Sequence, residues 1–392
     1  MRIAISGAGI AGPTLAYWLQ RAGHVPTLIE HAPTLRTGGY VIDFWGLGYE
    51  VARRMGIETT IRNAGYQVQS LRAVDAAGRK QAQVSVDAFR RVTDGRYTSI
   101  ARSDLAAAIY ATVADDVETM FGDTITAIDE GPEGVGLTFA HAPGREVDLV
   151  IGADGLHSTV RRLTFADAGT HERFLGCMVA ACVVNGYRPR DELTYVTYNL
   201  PGRQAGRFTL RDDRTLFLFV GRAEKPGDVG DVDACRAWLS TEFGDAGWEC
   251  PQMLAAVDGA EDVYFDVVSQ IRLDRWTQGR VALVGDAAAC PSLLAGEGTG
   301  LAMLEAYVLA GELHAARGDH GRAFGAYERR LRSFVEGKQD GALRMVGFFA
   351  AETKLGVWLR NLGMRVAQVP AVANLVLART FRDDFELPDY RF

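Results

Sequence analysis

A chain of 392 residues can bury a large core and hold two domains. With 48% hydrophobic and 23% charged residues it reads as an ordinary globular protein, and a formal charge of −7 argues against nucleic acid or an anionic membrane as the main partner. No apolar run reaches 18 residues, so no spanning helix is expected, and the chain enters a folding strand at once, so no signal peptide is expected.

Arg2 to Ser6 predicts a short buried strand, and Ile10 to Gln20 the helix that follows it. Between them Gly7, Gly9 and Gly12 form a Gly-x-Gly-x-x-Gly turn. The first glycine suits a tight turn, the second lets a phosphate approach the backbone, and the third lets helix and strand pack closely. The helix N-terminus offers unpaired N–H groups to a pyrophosphate. Pro13 is compatible with a first turn, and Gly23 supplies a stop. Pro26 to Glu30 predicts a second strand. Glu30 lies 18 residues beyond Gly12, where an acid hydrogen-bonds an adenosine ribose. Such an acid disfavours a 2′-phosphate, so NAD or FAD is expected rather than NADP. An ordinary glycine-rich turn is the competing reading, and it leaves Glu30 unexplained.

Further along, an irregular stretch holds Arg36, Gly38 and Gly39. Tyr40 to Phe44 predicts a strand, followed by a helix through Met55. Tyr66 to Val74 and Lys80 to Val86 alternate around a turn and predict a hairpin. Arg102-Ser103-Asp104 opens a helix to about Val113, with Ser103 as its expected cap. Short strands are predicted from Val117 to Ile151. From about Gly176 to Val268 the pattern becomes antiparallel: strands at 178–185, 193–200, 206–210 and 215–220, helices at 231–243 and 250–257, and a returning strand at 263–272. A last buried strand, 280–284, precedes a helix at 299–316. The remainder reads as helical, interrupted at Gly337 and Gly341, with a helix start at Pro370. Its apolar residues, Leu355, Trp358, Leu359, Leu362, Met364, Val366, Val369 and Leu375, predict a bracket packed across both lobes, with a membrane-surface or dimer helix as the minor reading. The five cysteines show no Cys-x-x-Cys spacing, which fits free thiols in a reducing cytoplasm, and the seven scattered histidines suggest no metal site.

Two more segments carry ligand-like chemistry. Gly152-Ala-Asp-Gly155 ends a strand and opens a helix with Ser158, Arg161 and Arg162; a plain turn with Asp154 as N-cap is the alternative. In Val284-Gly285-Asp286 an aspartate follows a buried strand and can reach a hydroxylated chain. The loop Gly296, Gly298, Gly300 then delivers a helix N-terminus, which suits a ligand part that becomes anionic.

These three segments, in this order, resemble the single-component FAD-dependent aromatic hydroxylases, the class A flavoprotein monooxygenases. Gly7-Gly9-Gly12, Asp154-Gly155 and Gly285-Asp286 carry the resemblance, which covers essentially the whole chain and is nearest the tetracycline-inactivating and polyketide-tailoring branch. It implies an α/β fold: a Rossmann-like FAD-binding domain, an inserted antiparallel β-sheet substrate domain, and C-terminal helices. The expected division gives residues 1–72, 97–175 and 269–330 to FAD binding. Residues 73–96 and 176–268 go to the substrate domain, and 331–392 to a helical bracket. The resemblance further implies that Glu30 binds the adenosine ribose, Arg102 the flavin or ribityl side, and Asp286 the ribityl chain. The backbone at Gly298 and Thr299 would hold the flavin N1–C2 carbonyl edge. Asp154, with Ser158 and Arg161, would support FAD and a transient nicotinamide, and Arg36 would lie near the flavin. His31 stands where relatives often have Arg, Ala289 where they have His, Gly300 where they have Asn, and Glu297 where they have Gln. Glu297 is therefore expected to point away or be neutralised.

The implied reaction is hydroxylation of an aromatic or polycyclic small molecule with NADPH or NADH and O₂, through a C4a-hydroperoxyflavin. A cytoplasmic monomer or weak homodimer is expected. An FAD oxidase, dehydrogenase or ene-reductase, and a non-catalytic nucleotide- or drug-binding protein, are the rival readings. Tyr195, Tyr198, Arg207, Arg211, Tyr40 and Trp45 are the side chains that could face the substrate, and the sequence assigns none of them a catalytic role.

Overall fold

The strand Arg2–Ser6 buries four of its five residues because it lies inside a six-stranded sheet. The order is Thr277–Gln278, Val281–Leu283, Leu149–Gly152, Arg2–Ser6, Val25–Glu30, Glu118–Phe121. The first strand is parallel to both neighbours, with Ser6 opposite Gly152 on one side and Ile29 on the other. The unbroken apolar run Leu149–Ile151 fits such a strand, which is covered on both faces. The chain first moves outward to one side of Arg2–Ser6 and later to the other. The sheet order therefore reverses here, and a crevice opens beyond the strand ends where ligands settle in such sheets. The computed structural model describes residues 1–36, 40–93, 95–165, 171–227, 229–260, 263–368 and 383–392.

A second sheet has seven strands in the order Val263–Ile271, Glu172–Asn185, Arg214–Arg222, Arg203–Thr209, Thr194–Leu200, Ser70–Val74, Lys80–Ser85. It is antiparallel except where Thr194–Leu200 runs parallel to Ser70–Val74. The helices Val232–Phe243 and Cys250–Asp258 cover one face through Cys235, Leu239, Phe243 and Met253. The other face turns toward the first sheet. Strand Val41–Trp45, paired with Tyr97–Ala101, lies between the two.

The helix Gly298–Ala315 buries every residue from Leu301 to Leu313, which is why its sequence has no polar face. His320–Phe349 is one helix. Gly337 and Gly341 do not interrupt it, contrary to the sequence expectation. Ala323, Phe324, Tyr327, Leu331, Val335, Ala342 and Val346 recur at helical spacing and are buried. That packing outweighs a glycine cost of about 1 kcal/mol at each site.

Two other expectations are corrected. The helix Arg102–Tyr110 is capped at Ala101 with no side-chain bond, so Ser103 is not its cap. On the helix Lys354–Val366, Arg360 and Met364 turn inward, while Leu355, Trp358, Leu359, Leu362 and Val366 are exposed. These five apolar residues do not form the packed face of a bracket. Gly38, Gly39, Val369, Pro370 and Leu375 lie outside the described residues. Among the described residues, no helix is long and apolar enough to cross a membrane.

Candidate active site

The three glycines of the first turn meet different surroundings. Gly7 has φ +104°, and a Cβ there would lie 2.5 Å from the Ala153 carbonyl oxygen. A Cβ on Gly12 would overlap the Gly7 carbonyl. Both glycines therefore let the turn after Ser6 pack against itself and against the turn after Gly152. A Cβ on Gly9 would meet only the Arg102 guanidinium, 3.9 Å away. Gly9 thus borders open space. The helix behind it, Ala11–Arg21, has no side-chain cap, so its first-turn N–H groups stay available to an anion.

Glu30 reaches this turn from the end of its strand. Its carboxylate accepts from the N–H groups of Ala8 at 2.8 Å and Ala32 at 3.0 Å, with the His31 imidazole also 3.0 Å away. Arg36 is exposed, and its guanidinium lies 2.9 Å from His31 Nε2.

The second segment is held tightly. Asp154 accepts from Ser158 Oγ, from the N–H groups of Thr159 at 2.8 Å and Val160 at 3.1 Å, and from Ser6 Oγ at 3.4 Å. Ser158, not Asp154, is the N-cap of helix Thr159–Thr164. Arg161 is buried and donates to Leu156 O and Ala287 O, which ties the second segment to the third. Asp154 and Arg161 are thus engaged with the protein itself, whereas Gly155, at φ +77°, borders open space.

In the third segment Gly285 adopts φ +64° and presents Asp286 at the start of a short helix. Asp286 Oδ1 would lie 3.4 Å from a Cβ on Gly298. Burial raises the Asp286 carboxyl above the usual carboxylate range, and Arg102 opposes that shift. The Arg102 guanidinium has no hydrogen-bond partner among the described residues, so it remains available to a ligand. Helix Gly298–Ala315 begins without a side-chain cap, leaving N–H groups near Gly298 and Thr299 open. Glu297 is neutralised as expected, because Lys338 Nζ lies 3.0 Å from it and 2.7 Å from Asp383.

Glu305 escaped the sequence reading. It is fully buried behind this segment, accepts the Gly285 N–H at 2.6 Å, and leaves Oε1 without a partner. Burial pushes its carboxyl up to about 8. The signal was a lone acid in the middle of an apolar helix.

The substrate-side candidates divide by strand alternation. Tyr195 stacks on Phe208 at 4.3 Å and faces Asp43, which accepts from Ser99 Oγ at 2.5 Å and Tyr97 Oη at 2.8 Å. Tyr40 meets Tyr264 at 5.3 Å, beside Arg102 and Asp286. Trp45 packs on Phe89 in the same region. Tyr198 and Arg207 lie on the opposite face with Trp248 and Glu249. Arg211 donates to the carbonyls of Ala64 and Gly65.

The family model described as FAD binding domain matches residues 1–337. A flavin-dependent monooxygenase from an unknown prokaryotic organism is 34% identical over 360 residues, covering 90% of this chain and 91% of the relative. The chain belongs to the FAD-dependent monooxygenases. Among solved structures, tetracycline destructase Tet(51) is 31% identical with a TM-score of 0.84, covering 99% of each chain. The FAD and uric acid complex of Klebsiella pneumoniae HpxO, at 23% identity, shares the fold with a TM-score of 0.81 over 97% of this chain and 96% of that one. For this monooxygenase the cofactor is FAD, the reductant typical of the family is NAD(P)H, and the other reactants are O₂ and a small molecule. The site suits FAD. Gly9 leaves room for a pyrophosphate, Arg102 is free to pair, Asp286 can accept from hydroxyls, and a helix N-terminus stands open at Gly298.

Proposed function

We propose that this monooxygenase oxygenates an aromatic or polycyclic small molecule in the space between the two sheets. One observation carries the reading. The face of the second sheet that bears Tyr195, Phe208, Leu218 and Tyr264 packs toward Tyr40, beside Arg102 and Asp286. An aromatic wall next to the cofactor's cradle suits a flat, apolar substrate.

Bound FAD would take a hydride from NADPH or NADH and activate O₂ for transfer to the substrate. The chain's own residues supply position and exclusion of water. Gly9 and the open helix end behind it would receive the pyrophosphate, and Glu30 the adenosine ribose. Arg102 and Asp286 would hold the ribityl side. The N–H groups at Gly298 and Thr299 would face the flavin edge where negative charge gathers on reduction. Arg161 keeps the second and third turns in register, so it is a positioning residue. The domain division given above, a monomeric or weakly dimeric state and a cytoplasmic setting complete the proposal.

The test is oxygen labelling. Holoenzyme turning over a polycyclic phenol with NAD(P)H under ¹⁸O₂ should place one labelled oxygen atom in the product. An oxidised product without label would instead assign the chain to oxidase or dehydrogenase chemistry.

A further inference from the structure

We propose that Tyr264, Asp266 and His157 form a proton relay that takes a proton from an acidic hydroxyl of the substrate and releases one to water. The inference rests on the monooxygenase reading and names three residues that no motif singles out.

Strand Val263–Ile271 alternates its faces. Phe265 and Val267 enter the core beneath the covering helices, so Tyr264 and Asp266 point toward the FAD-binding unit. The Tyr264 ring packs against Tyr40 and in the cluster that holds Leu218, Leu293 and Leu294, at the start of the glycine loop. Its hydroxyl donates to Asp266 Oδ2 at 3.1 Å. Asp266 is buried, and its Oδ1 accepts the Val267 N–H at 2.8 Å. The same oxygen lies 3.3 Å from His157 Nε2. The His157 side chain is 53% exposed. A line of exchangeable protons therefore runs from solvent to a tyrosine at the cofactor's edge.

The step balances. The substrate O–H proton moves to Tyr264 Oη as the Tyr264 proton moves to Asp266 Oδ2. An imidazolium at His157 then gives a proton to water from its exposed side. The Asp–His pair begins as an ion pair and ends as two neutral groups, so no net charge is left in it. The proton on Asp266 passes to the imidazole to reset the relay. A hydroxyl that has lost its proton is a more electron-rich target for an electrophilic oxygen.

The charged surroundings agree. Asp266 raises the His157 imidazole above its ordinary range, against burial, with Glu172 assisting and Arg161 opposing. Tyr264 is raised chiefly by burial, with Tyr40 and Asp266 adding and Arg102 opposing. Tyr40, raised by burial to about 12, also faces Asp286 and Cys290. Neither tyrosine is an anion at rest, so each can only pass a proton on.

The test uses FAD-loaded enzyme and 6-fluoro-2-naphthol, whose ¹⁹F shift reports ionisation without interference from flavin absorbance. The relay predicts that bound naphthol ionises about one pH unit below free naphthol, a tenfold change. Asp266→Asn and Tyr264→Phe should each return it to the free value. Tyr264→Phe removes one hydroxyl and keeps the ring contacts, so it decides the matter if Asp266→Asn folds poorly. Bound naphthol that ionises like the free compound in the wild type, or identically in wild type and Tyr264→Phe, would overturn the relay. FAD content and anaerobic reduction by NAD(P)H, read on the same samples, test the monooxygenase reading separately.

Discussion

Gly7 and Gly12 stand where a side chain would collide with backbone, whereas Gly9 borders open space. Substitution should therefore separate folding from binding. Gly12→Ala forces the turn apart and should cost about 1–3 kcal/mol, read as a lowered urea midpoint. Gly9→Val should keep the wild-type midpoint and lose bound FAD, read as the flavin-to-protein absorbance ratio. Equal loss of stability in both variants would contradict that assignment. Glu305 gives a pH-dependent test. Its folded carboxyl is raised to about 8, so the folded state holds a proton that the unfolded state releases near the ordinary range. Wild-type stability is then unpenalised below about 4.5 and falls as pH rises toward 8, by up to about 1.4 kcal/mol per unit. Glu305→Gln keeps an acceptor for Gly285 and removes that loss. Its advantage in urea midpoint should be small at pH 5 and grow by pH 9, and a constant difference would reject the shift. At this scale Glu30 was legible because its distance from the glycines is a local property. Asp266 and Glu305 were not, because each depends on a partner brought in from a distant segment, His157 in one case and Gly285 in the other.

Helices show where sequence pattern stops deciding structure. Leu301 to Leu313 reads as apolar all round, and the helix is indeed buried all round. Gly337 and Gly341 look like breaks, yet the helix His320–Phe349 passes through both because its apolar stripe is anchored on each side. The apolar residues of Lys354–Val366 suggest a packed face, but the inward positions belong to Arg360 and Met364. Arg360 donates to Phe348 O and Gln204, and Met364 sits against Ala73 and Ala82. Met364→Ala should accordingly cost about 2 kcal/mol or more, as for a buried methionine. Trp358→Ala, at a position 55% exposed, should change stability by no more than about 0.5 kcal/mol. Thermal melts of the two variants check this, and the reverse order would place the wrong face inward. The strands fared better, because alternation and turn residues mark them locally. Which face of Thr194–Leu200 carries Tyr195 and which Tyr198 toward the cofactor could be settled only by the partner strands.

Across the whole molecule, the two sheets meet through a few directed contacts. Tyr40 touches Tyr264, Gln270 donates to the carbonyls of Pro291 and Gln339, and Arg222 donates to Ala350. The C-terminal residues return to the first unit, where Phe392 packs on Trp18 and Tyr390 donates to Glu312. The crevice at the strand-order reversal and the aromatic sheet face are thereby held opposite each other. The order of the three motifs along the sequence announced the first of these. The second needed the register of seven strands, which no local pattern specifies. The most direct measurement is the absorbance of FAD-loaded protein, mixed anaerobically with NADPH or NADH in the presence and absence of a polycyclic phenol. Flavin that bleaches, and bleaches faster with the phenol, is the expected result, because the substrate occupies a wall shared with the cofactor. A protein that takes up no flavin, or a flavin whose reduction no phenol alters, would contradict the account.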